Sequence, residues 1–154
     1  MSEHTATEVF FYHLERRTLE EVLPTLLERS LARGWRAAVQ AASEERVESL
    51  DTLLWTYRDD SFLAHGTARD GSAEAQPIYL SAAADNPNGA QIRFLVDGAE
   101  LDDMTPYARV VFIFNGRDED AVTRARAEWQ SAKAKGLSVS YWQQDADGRW
   151  QQKA

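Results

Sequence analysis

The chain has no cysteine among its 154 residues. That removes disulfides, thiolate nucleophiles and cysteine-ligated metals together, and it fits a reducing cytoplasm. Proline and glycine are scarce, at 4 and 8 residues, so no linker divides the chain and no repeat is visible. The reading is one domain over residues 1–154, with Met1–Ala6 as a disordered start. At this length about 70 % of the unfolded surface can be buried on folding. No stretch approaches the roughly 18 apolar residues of a membrane span, and the N-terminus lacks a basic start followed by an apolar signal core. Positive charge is also in deficit. The formal net charge of −8 argues against broad binding to nucleic acid, whose affinity comes largely from Lys and Arg on phosphates.

What is present is an alternation of strand and helix. EVFFYHL (Glu8–Leu14) reads as a buried strand, and Thr18-Leu-Glu-Glu21 as a capping box opening a helix that Gly34 stops. Pro24 removes a backbone donor there, so the helix either kinks or starts nearer residue 22. Arg36–Ala42 is a second strand. Ser43 caps a second helix with Val47, Leu50 and Leu54 in one stripe and Trp55 at its end. Gly66–Gln76 reads as a polar loop. PIYLSA and Ile92–Gly98 are further strands, with the turn signal Asp85–Gly89 between them. Ala108–Gly116 is the most hydrophobic strand and should be central. Asp118, Glu119 and Asp120 favour the positive end of a helix running to about Lys135. LSVSYWQ and a turn at Asp145–Gly148 close the chain. The fold class is α/β: a three-layer domain whose mostly parallel sheet carries helices on both faces, Rossmann-like but without a phosphate loop.

Such folds often hold nucleotides, and that chemistry has a sequence requirement. A dinucleotide site needs G-x-G-x-x-G after the first strand, where this chain has HLERRTLEE. No Walker loop is present, and NGRDED places acids where phosphate would sit. His4, His13 and His65 have no metal-ligand spacing, so no metal or other cofactor is expected. His13, at a strand end, reads as a hydrogen-bonded structural residue. Ser61 beside Asp60 and His65 lacks a nucleophile elbow. The pairs Asp59-Asp60 and Asp102-Asp103 read as solvated turns. No catalytic residue is identified.

Leu50-Asp-Thr-Leu-Leu-Trp55, followed by Ser61-Phe62-Leu63-Ala64-His65, resembles the L-D-x-x-L-W…S-F-x-x-H signature of the chi subunit of bacterial DNA polymerase III. The resemblance extends to Phe11-Tyr12-His13-Leu14, the Gly-Trp-Arg entry to the second strand, the run from Val110 to Phe114, and A-R-A-E-W…K-A-K-G from Ala125 to Gly136. It covers about residues 7 to 145. It implies a non-catalytic adaptor in the cytoplasm that joins the clamp loader to single-stranded-DNA-binding protein (SSB) and meets DNA only indirectly. Chi grips the SSB C-terminal tail, an acidic stretch ending in Pro-Phe with a free carboxylate. The family's tail-binding Arg and the aromatic residue after it align with Arg126 and Trp129. Val122, Arg126, Trp129 and Lys133 recur on one helical face. Val122 stands where family members can carry a Lys, and Arg124 substitutes only from a different face. Read without the resemblance, Trp129 is a core residue and Arg126 a solvated charge. Trp55, Phe62 and His65 align with the surface that takes the psi subunit or a helicase-like partner. The competing reading of Trp55 and Phe62 is that they plug the core. Two other functions stay open: a small α/β nucleotide-handling enzyme, and a direct single-stranded DNA binder using Trp and Arg stacking.

Overall fold

The computed structural model describes residues 7–57 and 63–154. The expected disordered start and the residues Arg58–Phe62, with Phe62, Ser61 and the Asp59-Asp60 pair, lie outside the described residues.

The strands β1 (Glu8–Leu14), β2 (Ala37–Gln40), β3 (His65–Thr67), β4 (Ile78–Ser81), β5 (Ile92–Val96), β6 (Arg109–Asn115), β7 (Ser138–Gln144) and β8 (Trp150–Gln152) form one open sheet in the order β3-β4-β2-β5-β6-β1-β7-β8. Every pairing is parallel except β7 with β8, a hairpin turned at Asp145–Gly148. Helices α1 (Leu19–Ala32), α2 (Glu44–Thr56) and α3 (Glu119–Ala134) complete the domain. The period-two alternation sorts side chains onto two faces. Leu14, Val39, Phe94, Val111 and Ile113 pack beneath α1 and α2. Val9, Phe11, Leu95, Val110 and Phe112 pack beneath α3, which approaches closely through Ala125 and Ala132. The expected three layers are present, and β6 lies inside the sheet as anticipated.

Two local expectations change. Helix α1 starts at Leu19 with the capping box intact, Thr18 N–H donating to Glu21 Oε1 at 2.9 Å, and Pro24 is accommodated inside it. The early start holds because the cap satisfies the first orphan donors, leaving Pro24 to forfeit one later bond. The expected loop over Gly66–Gln76 begins inside strand β3, with two short 3-10 turns, Ala68–Asp70 and Ala73–Ala75, following. Gly66 belongs there because a Cβ would meet the Gln76 side chain at 2.7 Å. The turn expected at Asp85–Gly89 is present, with the Gly89 N–H donating to the Asn86 carbonyl at 3.3 Å, and its segment carries the chain past β2, so β4 and β5 are not neighbours. Arg93, fully buried on β5, ties this crossover down. It donates to the Ala83 and Asp85 carbonyls at 2.7 Å each, to Gln40 Oε1 at 2.7 Å and to the Tyr107 hydroxyl at 3.1 Å.

Candidate binding surfaces

The first surface is built on α3. Asp118 caps the helix by accepting from the Asp120 and Ala121 N–H groups at 3.0 and 3.2 Å. Ala125 and Ala132 face the sheet, so the residues one position on, Arg126 and Lys133, emerge at the helix flank toward β7. Trp129 lies between these two levels, half-buried. Its ring meets Phe11 edge-on at 5.5 Å and Tyr141 at 6.0 Å, and Lys133 Nζ is 5.6 Å from its centroid. The core reading of Trp129 and the surface reading are thus both partly right: one edge packs while the other stays accessible.

Tyr141 joins this surface although the sequence reading did not single it out. Register pairs it with Phe11 across β1 and β7, on the α3 side of the sheet. Its hydroxyl is 2.5 Å from His13 Nδ1, and His13 Nε2 is 3.0 Å from Glu15. Burial raises the phenol's pKa above its ordinary value, and the Arg126 charge opposes that shift. Phe114 closes the group at 5.3 Å from His13. His13 is therefore the hydrogen-bonded residue expected from sequence, and it braces the aromatic that Arg126 overlooks. The signal for Tyr141 was its even spacing from Val139 along the strand.

Val122 is half-buried and Arg126 and Lys133 are exposed on the same flank as Trp129. Arg124 is not with them. Its guanidinium sits over Gly98, and a Cβ on Gly98 would lie 3.3 Å from Arg124 Nε. It lines an apolar cavity of about 240 Å3 between α3 and the segment after β5.

The second surface is at the end of α2. The helix buries Val47, Leu50 and Leu54. Trp55 is one residue past the last of these, so it projects away, and it is 56 % exposed. This removes the core-plug reading for Trp55, the largest apolar side chain exposed among the described residues. His65 supports the indole at a ring distance of 4.6 Å. It is itself buried, with Nδ1 2.6 Å from the Leu63 carbonyl and Nε2 2.9 Å from Asp51 Oδ1. The structure thus brings Trp55 and His65 together, with His65 buried beneath the exposed indole. Phe62, the third member expected, is outside the described residues.

Among the described residues no group of three or more His, Asp or Glu side chains is arranged to hold a metal ion. No helix among them is long and apolar enough to cross a membrane.

Sequence comparison gives a consistent result. A family profile described as "DNA polymerase III chi subunit, HolC" matches residues 6–140. A relative from Rickettsia prowazekii (strain Madrid E), "Probable DNA polymerase III subunit chi", is 24 % identical over 90 residues. That alignment covers 58 % of this chain and 54 % of the relative, so it spans about half of that protein's length.

Proposed function

Since the chain belongs to the DNA polymerase III chi subunit family, we propose that it is a non-catalytic adaptor of the replicative polymerase, joining the clamp loader to SSB by holding the acidic C-terminal tail of SSB. The observation that carries this reading is the pairing on α3 of an exposed guanidinium, Arg126, with a half-buried aromatic wall of Trp129 and Tyr141. A peptide ending in Phe presents the complementary pair, a carboxylate and an aromatic ring. The guanidinium holds a carboxylate through two parallel N–H bonds. The terminal ring packs against the exposed edge of Trp129, where offset or edge-on geometry adds about 0.5–1.5 kcal/mol beyond area burial. Lys133 adds a second cation one turn past Trp129 and about two turns from Arg126.

Trp55 is the anchor for the other partner, psi or a helicase-like protein. Interfaces concentrate their energy in a few Trp, Tyr and Arg side chains, each worth about 2 kcal/mol or more on truncation. Asp51 and His65 hold the indole outward, so little ordering cost remains at binding.

Titration calorimetry with a peptide of acidic residues ending in Pro-Phe and a free carboxylate tests the tail site. Micromolar binding is expected, abolished by Arg126→Ala and by deleting the peptide's last Phe. No heat from the intact peptide at low salt and high concentration would refute the assignment.

A further inference from the structure

We propose that the acidic stretch of the tail leaves Arg126 toward the α3 N-terminus and lies in an arginine-lined cleft at the carboxyl edge of the sheet. This rests on the tail reading above and says how the charged part of that ligand is read when Val122 stands where a lysine would serve.

The cleft has a volume of about 610 Å3 and runs between the β1–α1 connection and the β6–α3 connection. Arg16 and Arg17 come from the first wall, Arg117 from the second and Arg124 from the first turns of α3, and all four are exposed. None of them has a carboxylate within ion-pair distance among the described residues, although the chain carries eight more acids than bases. The acids of the same cleft are already committed. Arg46 takes Glu20 at 2.7 Å and Asp97 at 2.6 Å. Glu15 accepts from Gln143 Nε2 and faces His13, each at 3.0 Å. Asp118 is spent on the α3 cap. The cleft therefore keeps four guanidiniums without a carboxylate partner and sets five arginines against four carboxylates, two of which share Arg46, a small positive excess that an acidic segment complements.

The spacing fits the ligand. From Arg126 back to the cap Asp118 the helix rises roughly 12 Å at about 1.5 Å per residue. An extended peptide covers that in about four residues at roughly 3.3 Å each. With its terminal carboxylate on Arg126, the tail's upstream acids reach Arg117 and the β1–α1 wall.

The test is calorimetry of the full chain with two peptides, the intact tail and one whose acidic residues are amides but whose Pro-Phe carboxylate is kept. Arg117→Ala with Arg124→Ala, and separately Arg16→Ala with Arg17→Ala, should each weaken the intact peptide about five-fold to ten-fold at low salt. Neither pair should change binding of the amide peptide, which Arg126→Ala must still weaken. The amide peptide tests the cleft without altering the protein, so a folding defect cannot mimic the result. Wild-type affinity of both double variants for the intact peptide, with Arg126→Ala still defective, overturns the cleft while leaving the tail site standing. A cleft whose variants lose affinity for an oligothymidine but not for the peptide also overturns it. Failure of the wild-type chain to bind any tail peptide is the separate outcome that removes the tail reading itself.

Discussion

The α3 surface and the α2 end divide the same two ingredients in opposite ways. On α3 the aromatic is half-buried and braced by Phe11 and Tyr141, while the charge, Arg126, is exposed. At the end of α2 the aromatic, Trp55, is exposed, while His65 beneath it is buried against a half-buried Asp51. A site that offers a free cation against a fixed apolar wall selects an anion. A site that offers an indole on a polar brace selects an apolar pocket. On the proposed adaptor reading, the two surfaces are thereby kept from competing for the same partner.

The largest contrast should appear in stability rather than binding. Trp129→Ala removes a ring packed against the second core layer and should destabilise by about 3 kcal/mol. Trp55→Ala should change stability by no more than about 0.5 kcal/mol, since a surface side chain is lost without a cavity. Denaturant unfolding of both variants decides it. Equal losses would mean that the indole at 55 is structural and that the contrast between the surfaces is false.

Binding comes next. Arg126→Ala should cost tail affinity about 1.5–3 kcal/mol, the range of a hydrogen bond to a charged group. Raising salt from low to several hundred millimolar should weaken the tail complex, whose contacts are exposed ion pairs. The same salt step should leave capture of the Trp55 partner nearly unchanged, and Trp55→Ala should abolish that capture. Calorimetry for the first and pull-down for the second, each across the salt series, separate a charge-read surface from an apolar one.

Much of the fold was legible because strand period and caps carry it. The Thr18 and Ser43 caps, the acidic start of α3 and the hydrophobic run of β6 all lie where local chemistry placed them. Strand β3 escaped because three residues beside a polar stretch carry no alternation, and Gly66 looks like a loop residue until Gln76 is seen against it. Arg93 escaped for a related reason. An arginine within IRFLV reads as an outward charge, and only the passage of residues 82–91 beside β2 supplies the carbonyls that allow its burial. At the sites, Arg126, Trp129 and Trp55 were visible through helical spacing and resemblance. Arg124 was named only as a substitute for a family lysine, and Tyr141, Arg16, Arg17 and Arg117 were not visible, because their proximity depends on β7 pairing beside β1 and on two distant connections meeting at one edge.

A smaller effect should follow from His65→Leu. The brace under Trp55 is lost, and the Asp51 carboxylate gives up its partner at 2.9 Å. Stability should fall by about 1–2 kcal/mol, as for loss of a buried hydrogen-bonded group. Trp55 fluorescence should change with it, while tail affinity should stay within two-fold of wild type, a ratio of about 0.4 kcal/mol. A matching loss at the tail site would mean that the two surfaces are coupled through the sheet.

The smallest expected effect concerns Glu128, on the far flank of α3 from Arg126. Burial, reinforced by the nearby Glu100 charge, raises its carboxyl pKa above the ordinary value. The folded state then binds the proton more tightly than the unfolded chain. Its contribution to stability is therefore greatest at acid pH and declines as pH rises from the ordinary carboxyl range through the raised value. Glu128→Gln should remove that decline and stabilise the protein slightly at neutral pH, by less than about 0.5 kcal/mol. Thermal unfolding from pH 4 to 8 reads both the shift and its pH dependence. The same substitution should leave Arg126-dependent tail binding unchanged, because Glu128 faces the apolar cavity behind the helix rather than the Trp129 wall. A gain in tail affinity on removing this charge would place the terminal ring and carboxylate at the apolar cavity rather than on the Trp129 wall and reverse the assignment of the two faces.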